Sequence, residues 1–175
     1  MELTLAEADK KGFIVSDVKN PSDNILGLNS EERVRNSLLA GMLILPGKDM
    51  ECIGGQYNGE APGFYKTLKV DFQDIPVEIL GTDKIEVERL RAADIILPLI
   101  GISYELIKAV GISIICYPIV EYIKGKIKIG RKNDTTVSLN MTVIKADNVT
   151  AKNVKYEGPV DGLEALETVL EEMLE

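Results

Sequence analysis

The feature that most constrains the fold is an alternating series of segments over residues 76–118. In order, these segments read VEIL, GTD, KIEVERLRAA, DIILPLI, GIS, YELIKAV, G and ISIICYP. Short apolar runs bounded by turn residues favour buried strands. The two mixed segments favour helices, because Asp83 and Ser103 stand where helix caps belong and Gly111 follows the second segment. The order strand, helix, strand, helix, strand predicts a parallel βαβαβ core with right-handed crossovers.

Segments before this core predict additional strands and a helix. GFIVSDV at 12–18 and MLIL at 42–45 have the composition of strands, and residues 29–42 have the apolar spacing of a helix. In KTLKVDF at 66–72, apolar and charged residues alternate with a period of two. This alternation predicts a strand that forms a hairpin with IPVEIL at 75–80, with the turn at Gln73 and Asp74.

Segments after Pro118 predict antiparallel strands and a terminal helix. TVSLNMTVI and VTAKNVKY alternate like strands with one wet face, and DGLEALETVLEEMLE at 161–175 is amphipathic with a helical period. The sequence therefore predicts one α/β domain over residues 1–175 with three layers. Its mixed sheet has a parallel core at about 76–118, antiparallel strands extend that core, and an amphipathic helix ends the chain.

Composition excludes several kinds of chemistry. The chain has no histidine, which removes the commonest general base and the commonest zinc ligand. Cys52 and Cys116 have apolar neighbours, so we expect buried, unreactive thiols and no metal site. The formal net charge is −8, and residues 161–175 contain six acidic side chains and no basic one. A nucleic-acid partner is not expected, because such proteins usually carry a basic footprint.

The cellular location is expected to be the cytoplasm. The first residues, MELTLAEADKKGF, lack the basic and apolar regions of a signal peptide. No run of 18 or more apolar residues occurs, so no membrane association is expected.

Two turns of the predicted parallel core are the first candidate ligand site. Gly81, Thr82 and Asp83 follow one strand, and Gly101 and Ser103 follow the next. Ligands of open parallel sheets bind beyond the carboxyl ends of the strands, where helix N-termini offer free N–H groups. The alternative is that Thr82, Asp83 and Ser103 only cap helices. Neither turn matches a phosphate-binding or dinucleotide-binding motif, so the cofactor stays unknown.

The glycine-rich segment CIGGQYNGEAPGFYK at 52–66 is the second candidate. Gly54 and Gly55 permit close backbone approach, Asn58 offers a donor and an acceptor, and Tyr57 and Phe64 offer stacking faces. Such a segment is typical of a binding loop or lid, or of an exposed turn.

The lysine row Lys124, Lys126 and Lys128 alternates along IKGKIKI. It is typical of an exposed or edge strand whose lysines prevent aggregation, and also of an anion-binding patch.

We therefore expect a cytoplasmic protein that binds a small polar or anionic metabolite, including nucleotide-like and cofactor-like molecules. The ligand would lie at the carboxyl edge of the parallel strands. Residue types do not decide whether it is an enzyme, and no catalytic residue is identified. The alternative is a non-catalytic subunit that acts through homo-oligomerisation or docking.

Overall fold

The computed structural model describes residues 12–18, 32–47, 53, 57–58, 60–80, 87–88, 94–127, 135–145 and 150–174. Within these residues the secondary structure consists of strands and helices in mixed order. The strands are β1 Phe13–Asp17, β2 Met42–Leu45, β3 Tyr57–Asn58, β4 Val77–Ile79, β5 Val87–Glu88, β6 Ile95–Ser103, β7 Val137–Lys145 and β8 Thr150–Gly158. The helices are α1 Glu32–Ala40, α2 Ala61–Asp71, α3 Tyr104–Val110, α4 Ile112–Lys126, a 3₁₀ helix Val160–Ala165 and α5 Leu166–Leu174.

Six strands form one mixed sheet in the order β1-β8-β7-β6-β2-β4. The pairs β2–β4 and β6–β7 are parallel, whereas β1–β8, β7–β8 and β2–β6 are antiparallel. A separate two-stranded sheet pairs β3 with β5 in parallel. The predicted α/β fold with a mixed sheet, antiparallel extensions and a C-terminal helix is therefore confirmed.

Helices cover both faces of the large sheet. Along β2, Met42 and Ile44 belong to the larger apolar cluster with α2, α4 and α5, whereas Leu43 and Leu45 contact the smaller cluster. The smaller cluster includes Leu38 of α1, which lies on the opposite face. This alternation follows from the period of two in a strand, and it gives the three-layer arrangement.

The predicted arrangement of residues 76–118 is wrong in two respects. Residues 112–118 begin helix α4 rather than form a third strand. Strands β4 and β6 are not neighbours, because β2 lies between them. Since β2 is parallel to β4 and antiparallel to β6, the strands β4 and β6 run in opposite directions.

The parallel pairs come from two other crossovers. One is β2–α2–β4, and the other is β6–α3–α4–β7. The two crossovers start on the antiparallel strands β2 and β6. One continues towards the β4 edge of the sheet and the other towards the β1 edge. Helices α2 and α4 pack in the same apolar cluster, on one face of the sheet. The two crossovers therefore have the same hand, as the preference for right-handed crossovers requires.

Helix α4 forms because its apolar residues repeat with a helical period. The residues Ile115, Cys116, Ile119, Tyr122 and Ile123 are buried in α4. This spacing of three and four residues presents one stripe to the core. The β-branched residues that predicted a strand express only a weak local preference, which this packing overrides.

Two further predicted strands are also helical. Residues 66–71 belong to α2, where Phe64 and Leu68 are fully buried while Val70 is 68% exposed. Lys124 and Lys126 lie at the end of α4, and Lys128 lies outside the described residues. The helix predicted over 84–93 is described only at Val87–Glu88, which form β5.

In the described part of the chain, no single helix is long and apolar enough to span a membrane. Helices α3 and α4 satisfy such a test only as a pair, and a bend of 101° separates them.

Candidate functional site

Most residues of the two predicted ligand sites fall outside the described residues. This applies to Gly54, Gly55, Gly81, Thr82 and Asp83. For Asn58 the structure describes only the backbone, which pairs with Glu88 in the small sheet.

Ser103 and Gly101, the two described members of the first predicted site, have structural positions. Ser103 is 3% exposed, and its hydroxyl donates to the Leu39 carbonyl at 2.9 Å. Its N–H donates to the Gly41 carbonyl at 2.9 Å. A Cβ on Gly101 would lie 3.4 Å from Ile144 Cδ1, inside the apolar layer. Ser103 therefore joins the end of β6 to the end of α1, and both residues are buried and do not face an open cleft.

The direction of β4 removes the geometric basis of the first predicted site. The expected site required residues 81–83 and 101–103 to follow parallel strands. Because β4 and β6 are antiparallel, the carboxyl end of β4 and the carboxyl end of β6 lie at opposite ends of the strands in the sheet. Sequence reasoning had no means of finding this, since strand order depends on contacts between distant segments.

The aromatic residues of the glycine-rich segment belong to the core. Tyr57 is 5% exposed, and its hydroxyl donates to the carbonyls of Ile44 and Leu80. Phe64 is fully buried and makes an edge-to-face contact with Tyr122 at 5.2 Å between ring centroids. These rings are therefore not the stacking faces that the sequence predicted.

A concave pocket lies at the carboxyl end of β7, beside β1, β8 and the end of α5. Its volume is about 460 Å³, which is within the range of sites for small metabolites. We call it the strand-end pocket. Its lining residues are Asp17, Val18, Val143, Lys145, Thr150, Ala151, Lys152, Met173 and Leu174.

Strand register explains how the polar residues of the strand-end pocket meet. Lys152 lies directly between Val143 of β7 and Asp17 of β1. Lys145 and Thr150 form the next pair on the same face, one step closer to the end of the strands. Alternate residues of a strand face the same side, so the side chains of Lys145 and Lys152 leave the same face of the sheet.

Each lysine of the strand-end pocket also has a contact that orients it. The Lys152 ammonium donates to the Met173 carbonyl at 3.2 Å, near the C-terminal end of α5, where a cation is favourable. The Lys145 ammonium lies 4.4 Å from the centroid of the Tyr104 ring, a cation–π arrangement. The charged side chains that line the pocket are two ammonium groups and one carboxylate.

The sequence pattern did not single out this pair of lysines, whereas the row at 124–128 was conspicuous. The signal was present in VIKADNVTAK at 143–152, where two predicted strands flank a short polar connection. Lys145 and Lys152 occupy positions at the ends of those strands that the hairpin register brings together.

The described cysteine has no reactive character. Cys116 is a free thiol, 1% exposed, and burial with the nearby charges of Glu167 and Glu171 raises its pKa to about 12. Cys52 lies outside the described residues. Where the side chains are described, no group of three or more cysteine, aspartate or glutamate residues could hold a metal ion.

Comparisons with known proteins give no further guide to the site. No family model, no curated protein and no solved structure matches the chain.

Proposed function

We propose that the protein binds a small anionic metabolite in the strand-end pocket. The observation that carries this proposal is the position of Lys145 and Lys152 on one face of the sheet, at the wall of a pocket of about 460 Å³. This pocket lies at the carboxyl end of β7, one of the two parallel neighbours in the β6–β7 pair. The location agrees with the general preference of α/β sheets for ligands beyond carboxyl strand ends.

The lining favours a ligand with one anionic group and an apolar body. A carboxylate or phosphate between the two ammonium groups would gain charge-assisted hydrogen bonds. Val143, Met173 and Leu174 offer the apolar wall. Asp17 would accept a hydrogen bond from a hydroxyl or amino group at the other end of the ligand. Such metabolites are abundant in the cytoplasm, where we propose that the protein acts.

Calorimetric titration and thermal shift with defined probes test this proposal. The panel contains inorganic phosphate, small dicarboxylates, sugar phosphates and nucleotides, so that its members separate phosphate from carboxylate recognition. A ligand at a hundred times its dissociation constant should stabilise the fold by about 2.7 kcal/mol.

Substitution of the two lysines by methionine then locates the site. Lys145→Met and Lys152→Met should each weaken binding by about tenfold or more, because a charge-assisted hydrogen bond is lost. Lys155→Met is the matched control, since Lys155 lies on the same strand but faces the other side of the sheet. If Lys145→Met and Lys152→Met bound the ligand as tightly as the Lys155→Met control, the proposal would be refuted. The absence of a response to any probe would also refute it and favour a docking subunit.

A further inference from the structure

A second concave surface lies between α2 and α4, away from the strand-end pocket. We call it the α2–α4 groove, and its volume is about 610 Å³. Its lining residues are Asp71, Phe72, Gln73, Asp74, Ile75, Ile114, Tyr117, Pro118 and Glu121. Three of these residues are acidic and none is basic.

Large apolar side chains are exposed in and beside the α2–α4 groove. Ile114 is 53% exposed and Tyr117 is 67% exposed, and both line the groove. Val70, which precedes the lining residue Asp71, is 68% exposed. Clustered exposure of this kind, with a polar rim, is typical of an interface between proteins.

Pro118 adds a backbone acceptor to the groove. It lies inside α4 and has no N–H to donate to the carbonyl of Ile114, which therefore lacks its α-helical partner. Ile114 and Pro118 both line the groove. A donor from an approaching chain, such as a lysine ammonium, could satisfy this carbonyl.

The charge that complements the groove lies on the same face of the same helix. At 100° per residue, Lys124 projects within about 20° of Tyr117 and about 60° of Glu121, on the same side of α4. The outward face of α4 is therefore apolar and acidic at Ile114, Tyr117 and Glu121, and basic at Lys124 near the end of the helix. Lys126 projects in a different direction, and its ammonium lies 5.3 Å from the centroid of the Tyr122 ring.

A two-fold axis would bring the acidic, apolar start of this face of α4 against the basic end of the same face in a second copy. If two copies pair with antiparallel α4 helices centred near residue 119, Ile114 of one copy faces the partner's Lys124. Tyr117 then faces the partner's Glu121. The partner's ammonium enters the groove beside Asp71 and Asp74, and the same contact repeats on the other side of the axis. Isologous contacts of this kind close into dimers.

We propose that the α2–α4 groove is the interface of a homodimer in which each copy inserts Lys124 into the groove of the other. The occupant is a second copy of this chain, because its own α4 carries both the acidic apolar groove and the complementary cation. The dimer does not depend on the strand-end pocket, which is lined by different residues.

Sedimentation velocity with charge-reversal variants tests the dimer. Wild-type protein should sediment with twice the 19.2 kDa mass of one chain. Lys124→Glu and Asp74→Lys alone should each raise the dimer dissociation constant by about tenfold or more, because like charges then face each other. Both residues are exposed, so the variants should fold, and circular dichroism checks this. Lys155→Glu is the control and should leave the dissociation constant unchanged.

Mixing the two variants separates intermolecular from intramolecular effects. In a mixed dimer one groove contact is native and the other has both charges reversed, so opposite charges meet at each. At a concentration at which each variant alone is mainly monomeric, an equimolar mixture should therefore form the dimer. A wild-type protein that stays monomeric at about 100 µM, where micromolar dimers form, would overturn the proposal. The same applies to a mixture that stays monomeric. A monomer that instead binds a lysine-rich peptide through the groove would overturn the homodimer and assign the surface to a separate basic partner.

Discussion

Gly41 and Gly101 should respond differently to substitution by alanine, and measuring both variants tests the packing and the structural role of Gly101. A Cβ on Gly41 would lie 2.0 Å from the carbonyl oxygen of Pro76. That oxygen accepts the N–H of Met42 at 2.9 Å, where the chain enters β2 beside β4. Van der Waals contact needs about 3.5 Å, so the two backbones would have to separate by more than about 1 Å.

The cost of Gly41→Ala should be about 3 kcal/mol. Overpacking against a backbone that cannot rotate away costs up to about 3 kcal/mol, and a weakened Met42 hydrogen bond adds to this. For a chain of this length, the melting temperature should fall by about 6–12 °C. The urea midpoint should fall by about 1 M or more.

Gly101→Ala should change the free energy of unfolding by less than about 1 kcal/mol. The added Cβ would lie 3.4 Å from Ile144 Cδ1 and 3.7 Å from Leu43 Cβ, and the tighter of these neighbours is the flexible end of a side chain. Alanine also restricts the unfolded chain, which favours the folded state.

The assay is urea unfolding followed by circular dichroism, combined with ligand titration of both variants. Equal loss of stability for Gly41→Ala and Gly101→Ala would refute the packing argument. If Gly101→Ala stayed fully stable but lost ligand affinity, Gly101 would be a ligand contact after all, and the structural role assigned to it would be wrong.

Two further predictions concern buried polar groups. Ser103→Ala should lower the free energy of unfolding by about 1 kcal/mol in urea melts, because the Leu39 carbonyl loses its donor. Ligand affinity should not change, and a loss of affinity at unchanged stability would contradict the structural role of the Ser103 hydroxyl. Cys116 should make the fold less stable as pH rises from about 9 towards 12, because burial raises its pKa from the ordinary thiol value of 9.0 to about 12 in the folded chain. The unfolded chain then binds fewer protons than the folded one, and the slope from one group is at most about 1.4 kcal/mol per pH unit. Cys116→Ala should reduce this alkaline slope, and an identical slope in both proteins would show that the thiol is not protected.

Elements with a strong pattern could be predicted from the sequence. GFIVSDV, MLIL, TVSLNMTVI and VTAKNVKY form β1, β2, β7 and β8, and the amphipathic end of the chain forms a 3₁₀ turn followed by α5. In these segments the spacing of the apolar residues and the intrinsic preference of the residues predict the same secondary structure. Whether a side chain is buried therefore follows from its place in that spacing. The chemistry that composition excludes, such as histidine-based catalysis, also follows from the sequence alone.

Tertiary structure decided the conformation of α2 and α4, the order of the strands and the position of the pocket. Local alternation in KTLKVDF and the isoleucines of ISIICYP favoured strands, but burial of one helical stripe against the sheet outweighs that preference. Strand order depends on pairing between segments far apart in the chain, and a sequence pattern carries no such information. For that reason the polar residues of a turn could not be assigned to a site from the sequence, whereas the register of β7 and β8 brings Lys145 and Lys152 to one wall.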